Sequence, residues 1–329
     1  MRDAVRRLAV PVKPAAVLAA ALLAGTVPGV PSGAVPGSAP AAVAAQEQPH
    51  SGVNTCPPAP EGELDQARLP PVPEGAFVVP NEETGPFPPV GACAYAVGFA
   101  NVRKQHQASV LNDPAGHPAL TAVNMSRRFV TLWDPPEGQQ PYFEADNLGY
   151  LQLPPSETTF LTYGFMPTTA VMELEPRGLL TIVATGNTDW DQPVEFTIGG
   201  YQSIRLRDVK VNGTPLDVGP NCRTARPVNL ELKGRQDDHL PGGGDGKPDY
   251  TLIGGGPLSQ RDLVIPEFKG CGNGAENLDA LFTAAVSGPG NSLNLVQGAI
   301  CTPTSDQPNG CEPEIQLPAL PHRRTTDQG

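Results

Sequence analysis

The segment VEFTIGGYQSIRLRDVKVNG, residues 194–213, decides the fold class. Apolar side chains alternate with polar ones on both sides of a Gly-Gly pair, at Val194, Phe196, Ile198, Ile204 and Leu206. Alternation with a period of two is typical of a strand that buries one face. The segment therefore predicts two strands separated at Gly199-Gly200, followed by a tight hairpin turn at Asn212-Gly213.

The same pattern recurs along the chain as short runs separated by Gly, Pro, Asn and Asp. The strand candidates are residues 92–102, 128–133, 158–166, 170–175, 179–184, 228–233, 263–265, 282–286 and 293–300. With 40 Pro and 36 Gly, long helices are disfavoured, although residues 276–282 could form a turn or two of helix. We expect an all-β protein, an antiparallel β-sandwich of the Ig-like or Greek-key type, with residues 105–123 as a long loop.

The N-terminus has the pattern of a signal peptide. Four basic residues precede a short apolar stretch, AAVLAAALLA at residues 15–24, which is too short to span a bilayer. Small residues at Val43 and Ala45 predict cleavage after Ala45, with an uncleaved anchor as the alternative. We expect secretion of a protein with a Pro-rich extended arm at 46–91, a β-sandwich domain at 92–302 and a tail at 303–329. Neither a lipoprotein cysteine nor a wall-sorting tail is recognisable.

All six cysteines follow the predicted signal peptide: Cys56, Cys93, Cys222, Cys271, Cys301 and Cys311. An even number in an exported chain predicts three disulfides, each contributing about 2–4 kcal/mol to stability. Local loop closure favours Cys56–Cys93 and Cys271–Cys301. Cys222–Cys311 is then expected only because these two cysteines remain.

The formal net charge is −12, which limits the partners of the chain. An acidic surface repels nucleic-acid phosphates and anionic lipid head groups, so we expect neither nucleic acid nor a membrane as a partner after signal cleavage. Such a surface favours solubility and could attract cations. Cell-wall polysaccharide or another extracellular protein remains as a partner.

Three long segments are distinctive: TTFLTYGFMPTTAVMEL (158–174), LRDVKVNGTPLDVGPNCRTARP (206–227) and IPEFKGCGNGAENLDALFTAAVSGPGNSLNLVQGAIC (265–301). They resemble a family of secreted actinobacterial, streptomycete-like proteins of unknown function. The resemblance extends over about residues 92–301. It implies export but no activity, cofactor or catalytic residue. The loop 237–255 and the tail with Cys311 fit the family pattern less well.

Searches for catalytic motifs find no candidate nucleophile. No GxSxG, SxxK or HExxH pattern is present. A Ser-His-Asp triad would have to assemble across the fold from His106, His117 or His239. The acid pairs Glu144/Asp146 and Asp189/Asp191 could suggest glycoside hydrolysis, but with 34 acidic residues such pairs arise by chance. We therefore predict that the protein is not an enzyme.

The loop DDHLPGGGDGKPDY, residues 237–250, is the best candidate for a metal site. An EF-hand register fails, because its first, third and twelfth ligands would fall on Pro241, Gly243 and Leu252. A looser calcium site could use Asp237, Asp238, Asp245 and Asp249, and the alternative is a polar hairpin loop. The sequence predicts no other cofactor.

Both tryptophans lie in a repeated pattern, T-x-W-D-x-P. It occurs around Trp133-Asp134 and around Trp190-Asp191. An aromatic face beside a carboxylate at a strand end suits sugar binding, by stacking and hydrogen bonding. The alternative is that each Trp covers an edge of the sandwich while the Asp ends the strand.

Taken together, these patterns predict a secreted, non-catalytic binding or wall-associated module. The alternatives are a secreted hydrolase with an unrecognised active site and a calcium-stabilised adhesion module.

Overall fold

The computed structural model describes residues 54–80, 90–240, 248–274, 276–302, 310–311 and 317–321. The predicted signal peptide lies outside these residues. No helix in the described part is long and apolar enough to cross a membrane.

The regular secondary structure of the described chain is almost entirely β-strand. In order they are β1 (Asn54–Thr55), β2 (Phe77–Pro80), β3 (Val90–Val102), β4 (Gln107–Leu111), β5 (Leu120–Leu132), β6 (Tyr142–Tyr150), β7 (Ser156–Thr162), β8 (Met166–Pro176), β9 (Leu180–Gly186), β10 (Val194–Val211), β11 (Thr214–Pro215), β12 (Arg223–Thr224), β13 (Val228–Gln236), β14 (Gly256–Ile265), β15 (Phe268–Lys269), β16 (Gly288–Gln297) and β17 (Gly310–Cys311). One α-helix, α1 (Asp279–Val286), and two 3-10 turns, Gln66–Arg68 and Arg103–Gln105, complete the set.

The main sheet is antiparallel and continuous. Its strands pair in the order β3, β5, β6, β9, β10, β13, β14 and β16, and β16 pairs again with β3. β8 pairs with the second half of β10, and β7 continues from β8. The all-β, antiparallel prediction is therefore confirmed.

The predicted break at Gly199-Gly200 is wrong, because β10 runs through it as one strand of 18 residues. A Cβ on Gly199 would lie 2.5 Å from Nη1 of Arg68, and one on Gly200 would collide with Leu180. The pair therefore allows close packing rather than a turn. The hairpin at Asn212-Gly213 is confirmed, since both residues have positive φ and Val211 pairs with Thr214.

The core lies inside this closed sheet and takes alternate side chains of most strands, with Val194, Phe196 and Ile198 all buried. It is completed by α1, where a strand was predicted at 282–286. Phe282, Ala285 and Val286 are buried at a spacing of three and four residues, which is the helical period. A short apolar run fits a strand and a helix equally well, so the sequence alone could not decide.

The long loop predicted at 105–123 contains β4 and the start of β5. The chain reverses after β3 through the Arg103–Gln105 turn and His106 (φ 51°), without the usual Asn-Gly signal. The shorter loop that follows is held by the buried side chain of Asn112, which bonds to Ala96 and to the backbone of Ala119.

Two disulfides are described, Cys56–Cys93 and Cys222–Cys271. The first confirms the prediction; the second contradicts both Cys271–Cys301 and Cys222–Cys311. Pairing of β12 with β15 brings Cys222 and Cys271 together from 49 residues apart. Cys301 is also disulfide-bonded, and its backbone pairs with that of Cys93.

The N-terminal arm lies extended across the outer face of the sheet. The Pro60 carbonyl accepts a hydrogen bond from Asn124, and the Asp65 amide donates to Thr181. Arg68 then reaches the carbonyls of Gly200 and Leu230 and stacks on Tyr201. Beyond these contacts, β2 pairs with β5, so the arm becomes part of the sheet.

Candidate functional site

Two hairpin loops lie side by side at one end of the sheet. Residues 133–141 join β5 to β6, and residues 187–193 join β9 to β10. They are neighbours because Phe143 at the start of β6 pairs with Gly186 at the end of β9. The side chain of Gln192 also donates to that of Gln140 at 3.0 Å. The fold thus brings the two T-x-W-D-x-P motifs, 57 residues apart, to the same end of the molecule.

Both tryptophans are exposed, Trp133 to 67 % and Trp190 to 54 %. Trp190 contacts two other rings, Phe143 at 5.3 Å between ring centroids and His239 at 5.6 Å in a T-shaped arrangement. A Cβ on Gly186 would lie 2.5 Å from the Phe143 ring, so this glycine makes room for the support. His239 is held in turn, with Nε2 2.9 Å from the Gln192 carbonyl.

The two aspartates beside the tryptophans differ in role. Asp191 accepts a hydrogen bond from Asn187 at 2.6 Å, and Asn187 accepts one from the Asp189 amide. Asp191 therefore shapes the turn that places Trp190 in the left-handed conformation (φ 56°). Asp134 is exposed and forms no hydrogen bond or ion pair with a described residue.

The calcium candidates are only partly described, because Asp245 lies outside the described residues. The two carboxylate oxygens of Asp249 accept the amides of Asp237 and Asp238, both at 2.9 Å. Asp237 is buried, 3.6 Å from Arg235, whereas Asp238 is exposed and bonds to Gln236. Asp249 thus closes the loop through backbone amides, and the calcium site stays a prediction.

A buried ionic cluster lies on β5 and β6, where the sequence suggested only a chance pair of acids. Glu144 and Asp146 are both 0 % exposed, and Arg128 bonds to both. Tyr142 donates a hydrogen bond to Glu144 at 2.6 Å. Glu144 and Asp146 share a face of β6, where no strand was predicted, and Arg128 comes from the strand opposite.

Burial sets the charge state of this cluster. Removal from water, reinforced by the negative charge of Glu144, raises the pKa of Asp146 to about 7, although Arg128 opposes the shift. Burial and the bond to Glu144 also raise the pKa of Tyr142. One Asp146 oxygen, Oδ1, has no hydrogen-bond partner among the described residues. A proton on Asp146 below about pH 7 is the expected consequence, because one arginine cannot balance two buried carboxylates.

The carboxylates of this cluster cannot reach a substrate in the described conformation, since neither has any exposed surface. In the described chain, no serine hydroxyl is hydrogen-bonded to His106, His117 or His239. The two tryptophan loops, with Phe143 and His239 behind Trp190, are therefore the best candidate for a binding site. No protein-family model, curated protein or solved structure matches the chain.

Proposed function

We propose that this protein is a secreted, non-catalytic module that binds a wall or surface polysaccharide through its two tryptophan loops. Disulfides are typical of proteins in oxidising compartments, which agrees with the signal peptide predicted at residues 1–45. The resemblance to secreted actinobacterial proteins also supports secretion. Burial of Glu144 and Asp146 counts against the alternative of a hydrolase that uses this pair.

The observation that carries the proposal is the presence of two exposed tryptophans, Trp133 and Trp190, on neighbouring loops. An exposed indole offers a flat apolar face with a polar edge, which suits the apolar face and hydroxyls of a sugar ring. The support of Trp190 by Phe143 and His239 limits its motion, so less conformational entropy is lost on binding. Asp134 and the amide of Gln140 provide hydrogen-bonding groups beside the rings.

The test is co-sedimentation of the purified protein with isolated actinobacterial cell wall and with insoluble polysaccharides. We expect saturable depletion from the supernatant, and roughly tenfold weaker binding for Trp133→Ala or Trp190→Ala. Phe165→Ala is the matched control, because Phe165 is an equally exposed aromatic residue (73 %) on the separate β7–β8 hairpin.

Two outcomes would contradict the proposal. One is that the protein stays in the supernatant with every polymer. The other is that the tryptophan variants bind as well as the Phe165 control, which would place the contact elsewhere.

A further inference from the structure

A concave groove of about 730 Å³ lies on the outer face of β3, β14 and β16, beside the β3–β4 turn. Its two charged lining residues are arginines, Arg103 from the turn and Arg261 from β14, and His106 lies beside Arg103 at the turn. No carboxylate lies among its described lining residues. A basic groove stands out on a chain with a net charge of −12.

The strand register produces the floor of this groove. Asn294 of β16 pairs with Ser259 on one side and with Phe99 on the other, and Ser292 pairs with Asn101 in the next row. Leu293 and Leu295 between them point into the core, so the polar residues face outward. The floor therefore combines hydroxyl and amide groups with one aromatic ring. The Asn101 amide already points along it, donating to Ser292 at 3.1 Å.

Arg103 is held beside this floor by the neighbouring backbone. Its amide donates to the side chain of buried Asn291 at 3.0 Å. A Cβ on Gly290 would lie 2.8 Å from Nη1 of Arg103, so the guanidinium lies against the open face of that glycine. This packing places the guanidinium at the rim of the groove.

The charges of Arg103 and Arg261 are not used within the described part of the fold. Neither forms an ion pair with a described carboxylate, whereas Arg128, Arg205 and Arg207 each do. The long-range field of an acidic protein repels anions, so these arginines do not serve general electrostatic attraction. They can recognise an anion only in direct contact, where a guanidinium donates two parallel hydrogen bonds to a carboxylate or phosphate.

We propose that this groove is a second binding site, which takes a carboxylate or phosphate group carried by a hydroxyl-rich ligand such as an acidic sugar. Arg103 and Arg261 bind the anion. Asn101, Ser259 and Asn294 bond to hydroxyl groups of the ligand. The site is separate from the tryptophan loops and does not depend on their function.

The test is calorimetric titration of the purified protein with oligogalacturonate, which carries carboxylates, and with glycerol 3-phosphate, which carries a phosphate. A neutral oligosaccharide, cellotriose, is the third ligand. We expect saturable binding of at least one anion and roughly tenfold weaker binding for Arg103→Gln and for Arg261→Gln. The anion that binds distinguishes carboxylate from phosphate recognition.

Two control variants isolate the groove. Arg226→Gln removes an exposed arginine that has no described ion pair and lies outside the groove, and it should bind like the wild type. Trp190→Ala should also leave anion binding unchanged, so this result separates the groove from the proposed polysaccharide site. Urea unfolding midpoints equal to that of the wild type would show that the arginine variants are folded.

The proposal is overturned if neither anion binds saturably. It is equally overturned if cellotriose binds as tightly as the anions, or if folded Arg103→Gln and Arg261→Gln variants keep wild-type affinity.

Discussion

Two clusters in this protein are built from the same kind of ion pair, arginine with a carboxylate, in different surroundings. On β5 and β6, Arg128 bonds to Glu144 and Asp146, and both acids are fully buried. On β8 and β10, Glu173 bonds to Arg205 and Arg207, with side chains that keep 21–37 % of their surface exposed. Both arise from cross-strand register, so the difference between them is solvent access.

The half-exposed cluster is a network in which each charge has an opposite partner. Glu175 accepts from Arg177 and Arg223, and it lies on the same strand as Glu173. The network links β8 to β10 and β12 across the sheet. Water and salt screen such pairs, so each contributes at most about 1 kcal/mol.

The buried cluster has one arginine for two acids. Folding removes the three charged side chains from water, which costs free energy. Their mutual attraction offsets this cost only while all three side chains are present. The comparison indicates that an arginine–carboxylate pair contributes little to folding stability at the surface. In the interior, loss of one partner strongly destabilises the fold. Three predictions test this difference, and the largest expected effect comes first.

Replacing Arg128 with Met should lower the free energy of unfolding by about 3–5 kcal/mol, because it leaves two buried carboxylates without a cation. Urea denaturation at neutral pH measures the change. Arg127→Met is the matched control, since the adjacent Arg127 has no ion pair with a described residue, and its effect should stay below about 1 kcal/mol. Equal losses of stability for the two variants would show that the buried ion pairs matter no more than an unpaired arginine.

Replacing Asp146 with Asn should flatten the pH dependence of stability between about pH 4 and pH 7. The pKa of Asp146 is raised on folding, to about 7, so its contribution is fully present below the ordinary pKa of aspartate and is lost as the pH rises through about 7. The wild type should therefore lose up to about 1.4 kcal/mol per pH unit relative to the variant.

The measurement is the free energy of unfolding of both proteins across this pH range. Asp208→Asn is the control, because Asp208 is exposed beside Arg207 and should leave the slope unchanged. Parallel curves for wild type and Asp146→Asn would show that folding does not place a proton on this group.

Replacing Glu173 with Gln should cost no more than about 1 kcal/mol, because its two arginines remain hydrated. At about 1 M salt, where the Debye length is about 3 Å, this cost should nearly vanish, while that of Arg128→Met should persist. Thermal unfolding at low and high salt measures both. A salt-independent loss would mean that this network is as isolated from water as the buried one.

The sequence predicted strands well where alternation is long and one face is buried. β3, β9 and β13 appear close to their predicted positions, and the Asn212-Gly213 turn is correct. Errors occurred where the local signal fits two structures. Gly199-Gly200 permits close packing as well as a turn, and the apolar run of α1 fits a helix as well as a strand.

The candidate sites were predicted only in part. The repeated tryptophan motif could be found in the sequence, but its support by Phe143 and His239 comes from other elements. No strand was predicted at residues 142–150, so Glu144 and Asp146 were not placed on one face of β6, and nothing local shows that this face is buried. No local sequence motif predicts the basic groove, because Arg103 and Arg261 are 158 residues apart.

The sequence by itself determined the all-β class, most strand positions and the Cys56–Cys93 bridge, because these depend on side-chain period and short loop closure. Only the tertiary structure decided the Cys222–Cys271 bridge, the closure of the sheet and the neighbouring positions of the two tryptophan loops. It also decided which arginines are paired and which face a groove. These features depend on strand register between distant segments, and register is set by packing of the whole core rather than by any local pattern.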